Sequence, residues 1–158
     1  MIDNLINKLE REGKITKQKV GIVQIEELLK QSILDLQEAK KTLHVADRAT
    51  YLLAYMAMLK AGRALLFLRG YRPSDGAQHK TVVEMTSAIL GDKYNSITAH
   101  FETMRRKRNE MTYGAGVLLS GSEAEEAFSD AISLVRNILR AAKAQNPQLE
   151  LNIESDLP

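Results

Sequence analysis

The stretch Met104 to Gly116, MRRKRNEMTYGAG, sets four basic residues in a row, Arg105, Arg106, Lys107 and Arg108, directly before Asn109, with Tyr113 and two glycines close behind. Guanidinium groups present planar forks of donors that match phosphate oxygens two at a time, and an amide or a phenol beside them adds further hydrogen bonds. Such a run either holds the phosphates of RNA or a nucleotide, or it solvates the end of a helix. Spacing separates the four cations. Tyr94, Ile97, Phe101, Met104, Arg108 and Met111 recur at intervals of three or four, which puts them on one stripe of a helix. Arg108 thus occupies a position that an apolar residue would normally fill. An unpaired guanidinium is costly there, so it must find an acceptor or line a cleft that opens to water or ligand. Arg105, Arg106 and Lys107 point elsewhere round the helix, and Glu102 and Glu110 lie within one turn of Arg106. For Arg106 and Lys107 an ordinary charged face is the simpler account, since exposed pairs contribute little.

The run must be positioned by a scaffold, and composition bounds that scaffold. A chain of 158 residues with 44% hydrophobic and 27% charged residues is suited to one globular core. No cysteine occurs, which removes disulfides, thiol nucleophiles and cysteine-ligated metal sites. The three histidines, His44, His79 and His100, show no metal-type spacing, so no metal and no organic cofactor is expected. Acidic residues appear early in MIDNLINKLEREGK, unlike a secretory signal, so the cytoplasm is the expected compartment. The richest apolar run, Ala49 to Leu59, is far shorter than the roughly 20 residues of a membrane span. A net charge of +2 gives no global pull on nucleic acid, so any such role rests on where the charges lie.

The pattern predicts an all-α, up-and-down bundle of about five helices. A short helix over Asp3–Glu12 breaks at Gly13, and residues 1–21 read as an N-terminal helix and linker to a bundle over 22–144. Ile22, Ile25, Leu29, Ile33, Leu36 and Leu43 mark the first long helix. Asp47 is a plausible N-cap for a helix to about Gly70, apolar nearly all round from Tyr51 to Leu59 and so the central element. The loop GYRPSDGAQ, with Ser74 and Asp75 as turn residues, leads into HKTVVEMTSAIL, which stops at Gly91. A helix over Lys93–Thr112 follows and ends at the glycines of YGAG. Ser122 and Glu125 have capping-box spacing ahead of Ala124, Ala127, Ala131, Val135, Ile138, Leu139 and Ala142, the last core helix. The tail 145–158 loses periodicity and is expected to be flexible or to pack on a partner. His79 reads as a helix-start residue, His100 as surface or the edge of the core, and Tyr51, Tyr55, Met56, Met58 and Phe67 as core and dimer surface.

RRKRNEMTYG, together with HKTVVEM after a proline-containing loop and an apolar second helix, resembles the HEPN domain, the higher eukaryotes and prokaryotes nucleotide-binding domain. The resemblance covers roughly Ile22 to Ala144, and its specific part is Arg-Asn near the end of the fourth long helix. It implies a helical bundle that forms a homodimer and binds nucleotide or RNA. In members with ribonuclease activity an Arg-x4-6-His motif, often with Asn after the Arg, faces a dimer cleft. There the Arg would stabilise phosphate charge and the His would move a proton. Here the fifth residue after Arg108 is Tyr113, and no histidine follows His100. A phenol with an ordinary pKa of about 10 is a poor base at neutral pH and a better hydrogen-bond donor.

The expected function is therefore a non-catalytic or degenerate HEPN-like protein. It would bind nucleotide, RNA or a nucleotidyltransferase partner, as in toxin–antitoxin systems, through an Arg-Asn cleft at a dimer interface. The expected binding residues are Arg105, Arg108, Asn109 and Tyr113. Should cleavage survive, as in a metal-independent endoribonuclease toxin, Arg108, Asn109 and Tyr113 are the catalytic candidates. The alternative outside both classes is an interaction module in which Arg108 belongs to a structural network.

Overall fold

The computed structural model describes residues 2–74, 78–114 and 116–158. In chain order the elements are α1 (Ile2–Arg11), β1 (Ile15–Lys17), α2 (Ile22–Thr42), α3 (Asp47–Leu68), β2 (Tyr71–Pro73), α4 (Gln78–Leu90), α5 (Asn95–Tyr113), α6 (Gly121–Gln145) and a single-turn α7 (Ile153–Asp156). The all-α bundle read from the sequence is the fold observed.

Apolar residues nearly all round α3 leave it no wet face, so it packs where other helices can cover every side. By length and composition alone α3 could cross a membrane, yet most of its apolar length is covered by the bundle. Its Tyr51, Tyr55, Met58, Leu59, Leu65 and Leu66 are buried, each adding about 1.5–3 kcal/mol of apolar transfer. The helix lies mainly against α2 and α6, with α4 and α5 on its remaining side. Tyr51, Tyr55 and Met58 are thus core, while Met56 and Phe67 are only partly covered.

Three polar contacts fix the register of α2 on α3. Ser32 Oγ donates to the Ala57 carbonyl at 2.7 Å, Lys60 Nζ pairs with Asp35 Oδ2 at 2.8 Å, and the Thr42 and Thr50 hydroxyls meet at 2.7 Å. On the far side α4 comes so close to α3 that a Cβ on Gly62 would lie 2.8 Å from both Thr86 Oγ1 and Val82 Cγ1. Glycine is what allows that approach.

Several boundaries differ from the sequence reading. The capping box is Ser120 with Glu123, not Ser122 with Glu125: the Ser120 hydroxyl accepts from the Glu123 amide at 3.0 Å, and the Glu123 carboxylate reaches back to the Ser120 amide. Both pairs have the same spacing, and the earlier start puts Ser122 on an exposed face of the first turn. Asp47 is the first residue of α3, and its N-cap, Ala46, offers no side-chain acceptor. Asp47 instead contributes charge at the positive end of the helix.

Part of the loop after α3 is a strand. Tyr71–Pro73 pairs antiparallel with Ile15–Lys17, Ile15 opposite Pro73, a ladder of three residues too short to leave an alternating pattern. Asp75 lies outside the described residues. The tail expected to be flexible folds back on its own chain, with Leu149, Leu151 and Leu157 buried. Lys143 Nζ donates to the carbonyls of Leu149 and Leu151, and the Gln37 amide to that of Asp156. Isolated leucines in a non-repeating segment carry no periodicity, which is why this docking was not legible.

Gly62→Ala should destabilise the protein. Overpacking against Thr86 and Val82 costs about 1–3 kcal/mol, while the better helix propensity of alanine returns about 1 kcal/mol. A thermal melt should show a lower Tm for the variant; an unchanged or higher Tm would mean that α4 shifts freely.

Candidate functional site

Gly91, at φ +82°, turns the chain out of α4 into a short 3-10 turn over Asp92–Tyr94, and α5 starts at Asn95. Phe101, Met104 and Met111 are buried, as their spacing requires. Arg108, on the same stripe, is only partly buried, and so is Asn109 beside it. Gly114 ends the helix; its amide donates to the Glu110 carbonyl, and a Cβ there would meet that oxygen at 2.7 Å. The Tyr113 side chain lies outside the described residues.

The four cations separate by their partners. Arg105 makes a two-pronged pair with Glu102, Nε to Oε2 at 3.0 Å and Nη2 to Oε1 at 2.6 Å. Arg106 Nε reaches the same carboxylate at 3.1 Å, and Lys107 Nζ pairs with Glu123 of the α6 capping box at 2.6 Å. Arg108 makes only a long hydrogen bond, Nη1 to Asn109 Oδ1 at 3.4 Å, and no ion pair among the described residues. Arg105, named from the sequence as a binding residue, thus pairs with Glu102, while Arg108 has no carboxylate partner among the described residues.

The charge of Arg108 is felt by a polar pair that belongs to other helices. Tyr55 of α3 touches α5 through Phe101, with ring centroids 5.9 Å apart, and its hydroxyl lies 3.0 Å from Nδ1 of His79 in the first turn of α4. Arg63, two turns along α3, donates from Nη2 to Gln78 Oε1 at 3.3 Å, and its buried Nε has no partner among the described residues. Desolvation, and after it the positive charge of Arg108, Arg63 and Arg105, holds the His79 imidazole below its ordinary pKa of 6.5. Burial pushes the Tyr55 phenol up, an effect countered in part by Arg105 and Arg108. The hydrogen bond from Arg105 keeps Glu102 below the usual 4.5.

His79 reads from the sequence as a plain helix-start residue, and the structure sets it within the field of Arg108. The two lie on different helices, so no local spacing could have joined them. His100 differs in a similar way: its Nδ1 is 2.7 Å from Asp130 Oδ2, and with Glu126 these groups offer ligand atoms within 4.8 Å of one another. Such a trio could hold a divalent ion with water in the remaining positions, although His100 and Asp130 already satisfy each other and Glu126 is exposed.

The fold and the site together define a helical-bundle protein with an arginine beside an asparagine near the end of α5, without a carboxylate partner among the described residues, and a histidine held below its ordinary pKa where α4 meets α3. The HEPN domain model matches residues 25–145, and the chain belongs to the HEPN domain family. No curated protein matches the chain.

The low affinity of His79 for protons has a consequence for stability. The unfolded chain takes up a proton near pH 6.5, whereas the folded chain does so only at lower pH. Stability is therefore full above 6.5 and declines as the pH falls through 6.5 towards the folded value. Melting curves between pH about 7.5 and about 5.5 should show a larger fall in Tm for the wild type than for His79→Gln. Parallel curves would show that the imidazole does not feel this field.

Proposed function

We propose that this HEPN protein is non-catalytic and binds RNA or nucleotide phosphate through the Arg108–Asn109 end of α5. One observation carries the reading: in a run of four cations, Arg105 and Arg106 share Glu102 and Lys107 pairs with Glu123, whereas Arg108 has no carboxylate partner among the described residues. A guanidinium that is half-buried and uncompensated gains most from an anion that replaces its lost water. The position where the ribonuclease motif carries its histidine is Tyr113, which favours binding over proton transfer.

The proposal includes a cytoplasmic homodimer that works with a nucleotidyltransferase. Arg48 Nη2 donates to the Met111 carbonyl and so ties the start of α3 to the end of α5. The most exposed large apolar residues, Val45 and Leu118, lie just outside those two helix ends. An interface covering them would bring the two Arg108 groups of a dimer towards each other. Light scattering after size exclusion should return twice the chain mass, and a Leu118→Glu variant should return the single mass. A wild type of single mass would remove the dimer from the proposal.

The binding test uses labelled RNAs with the wild type and Arg108→Ala, scored for retention and cleavage at two salt concentrations. Retention without cleavage is expected, falling steeply with salt as phosphate contacts require. The variant should bind about tenfold or more weakly, the effect of one charged hydrogen bond. Cleavage that disappears in Arg108→Ala would overturn the non-catalytic reading in favour of an endoribonuclease. Equal retention by both proteins, with a lower Tm in the variant, would make Arg108 structural.

A further inference from the structure

Three side-chain contacts mark successive levels of the seam between α5 and α6. Tyr94, just before α5, donates from its hydroxyl to Asn137 Oδ1 at 3.4 Å, His100 Nδ1 lies 2.7 Å from Asp130 Oδ2, and Lys107 Nζ meets Glu123 Oε2 at 2.6 Å. The first contact is neutral, and the last sets one cation against one anion. The middle level is different. Glu126, one turn from Asp130 on α6, adds a second carboxylate, and His100, Glu126 and Asp130 offer ligand atoms within 4.8 Å of one another. Glu126 has no ion pair or hydrogen bond among the described residues. No lysine or arginine lies within one turn of any of the three on its own helix.

As ligands, two carboxylates and a neutral imidazole carry two negative charges, which one divalent cation balances. The donor set selects the cation. Imidazole nitrogen with carboxylate oxygen suits zinc, which takes three protein ligands and leaves a fourth position to water. Magnesium holds its waters tightly and calcium prefers a larger shell of oxygens, so neither gains from the histidine. Ligand atoms about 2.0–2.2 Å from a cation lie about 3.0–3.5 Å from each other. The His100–Asp130 pair is already near that spacing. It needs to open by only about 0.5 Å as its hydrogen bond is exchanged for two coordinate bonds. Glu126 is exposed and unpaired, so it closes the site at the cost of side-chain freedom alone.

We propose that His100, Glu126 and Asp130 bind zinc(II), with water completing the coordination, and that the ion clamps α5 to α6 about two turns ahead of Arg108. The site is separate from the phosphate reading of Arg108 and does not depend on it. Sequence spacing hid it because the histidine and the carboxylates belong to different helices.

Calorimetry and thermal melts on the untagged full chain, stripped with EDTA, test it with ZnCl2, MnCl2, MgCl2 and CaCl2. Zinc should bind at one ion per chain, manganese should bind more weakly in line with its lower intrinsic affinity, and magnesium and calcium should not bind. With zinc about a hundredfold above Kd, Tm should rise by about 5 °C or more. Glu126→Gln keeps the side chain's shape and removes an unpaired charge, so without metal it should melt with the wild type. It should nevertheless bind zinc about tenfold or more weakly, since losing even a residue behind a ligand costs about that much. His100→Ala should weaken zinc in the same way. His44→Ala is the control: that imidazole lies 3.4 Å from Glu125 in an exposed pair with no third metal donor close by among the described residues, and its loss should leave zinc binding unchanged.

Zinc binding that persists undiminished in Glu126→Gln or His100→Ala, or that falls as far in His44→Ala, would mean an adventitious ion only and overturn the site. Absence of zinc binding by the wild type, or equal binding of zinc and magnesium, would overturn it too. Zinc bound with no rise in Tm would show that the unfolded chain holds it as well, and would overturn the clamp.

Discussion

The burial of α3 on all its sides is the constraint on which the rest of the structure depends. A helix with apolar residues nearly all round cannot tolerate a solvent face, so α2, α6, α4 and α5 must each cover part of it. Each neighbour then takes a register set by what it meets: Ser32, Asp35 and Thr42 of α2 on polar atoms of α3, and α4 on the notch at Gly62. Because Tyr55 belongs to the same buried helix, its ring can touch Phe101 of α5 while its hydroxyl reaches His79 of α4. The packing that stabilises the bundle is thus also what brings side chains of three helices together.

Within that frame the basic run divides by electrostatics. Glu102 takes two arginines, Glu123 takes Lys107 while also completing the α6 cap, and the half-buried Arg108 is left with an amide oxygen. Ion pairs near a surface contribute little stability each. They do, however, give three of the four cations a carboxylate partner. A uniformly basic helix would attract polyanions without preference. Here the cation without a carboxylate partner among the described residues is one partly desolvated guanidinium.

The histidine in that field behaves differently from one that serves as a base. Desolvation and the charges of Arg108, Arg63 and Arg105 disfavour the imidazolium, and the Tyr55 hydroxyl hydrogen-bonds with Nδ1 at 3.0 Å. Family membership does not decide this chemistry, because a fold can be kept while the groups of its site change. Tyr113 at the position expected for the motif histidine makes this site different in composition from the pattern the chain resembles.

The sequence by itself determined the helices, their order and the central place of α3, because apolar spacing is a local property that burial then enforces. It also singled out Arg108, since one charge on an apolar stripe is visible without coordinates. It could not choose between Ser120 and Ser122 as the cap, two serines with the same spacing to a glutamate, because only docking of α6 decides where the helix starts. Nor could it show the three-residue ladder between β1 and β2, the return of Leu149, Leu151 and Leu157 to the core, or the pairing of Arg105 with Glu102 rather than with a ligand. Above all, the contacts of Tyr55 with His79 and Phe101 are a product of how α3, α4 and α5 cross. Contacts between helices depend on packing angles and on a missing Cβ at Gly62, and neither has a period that a chain can display.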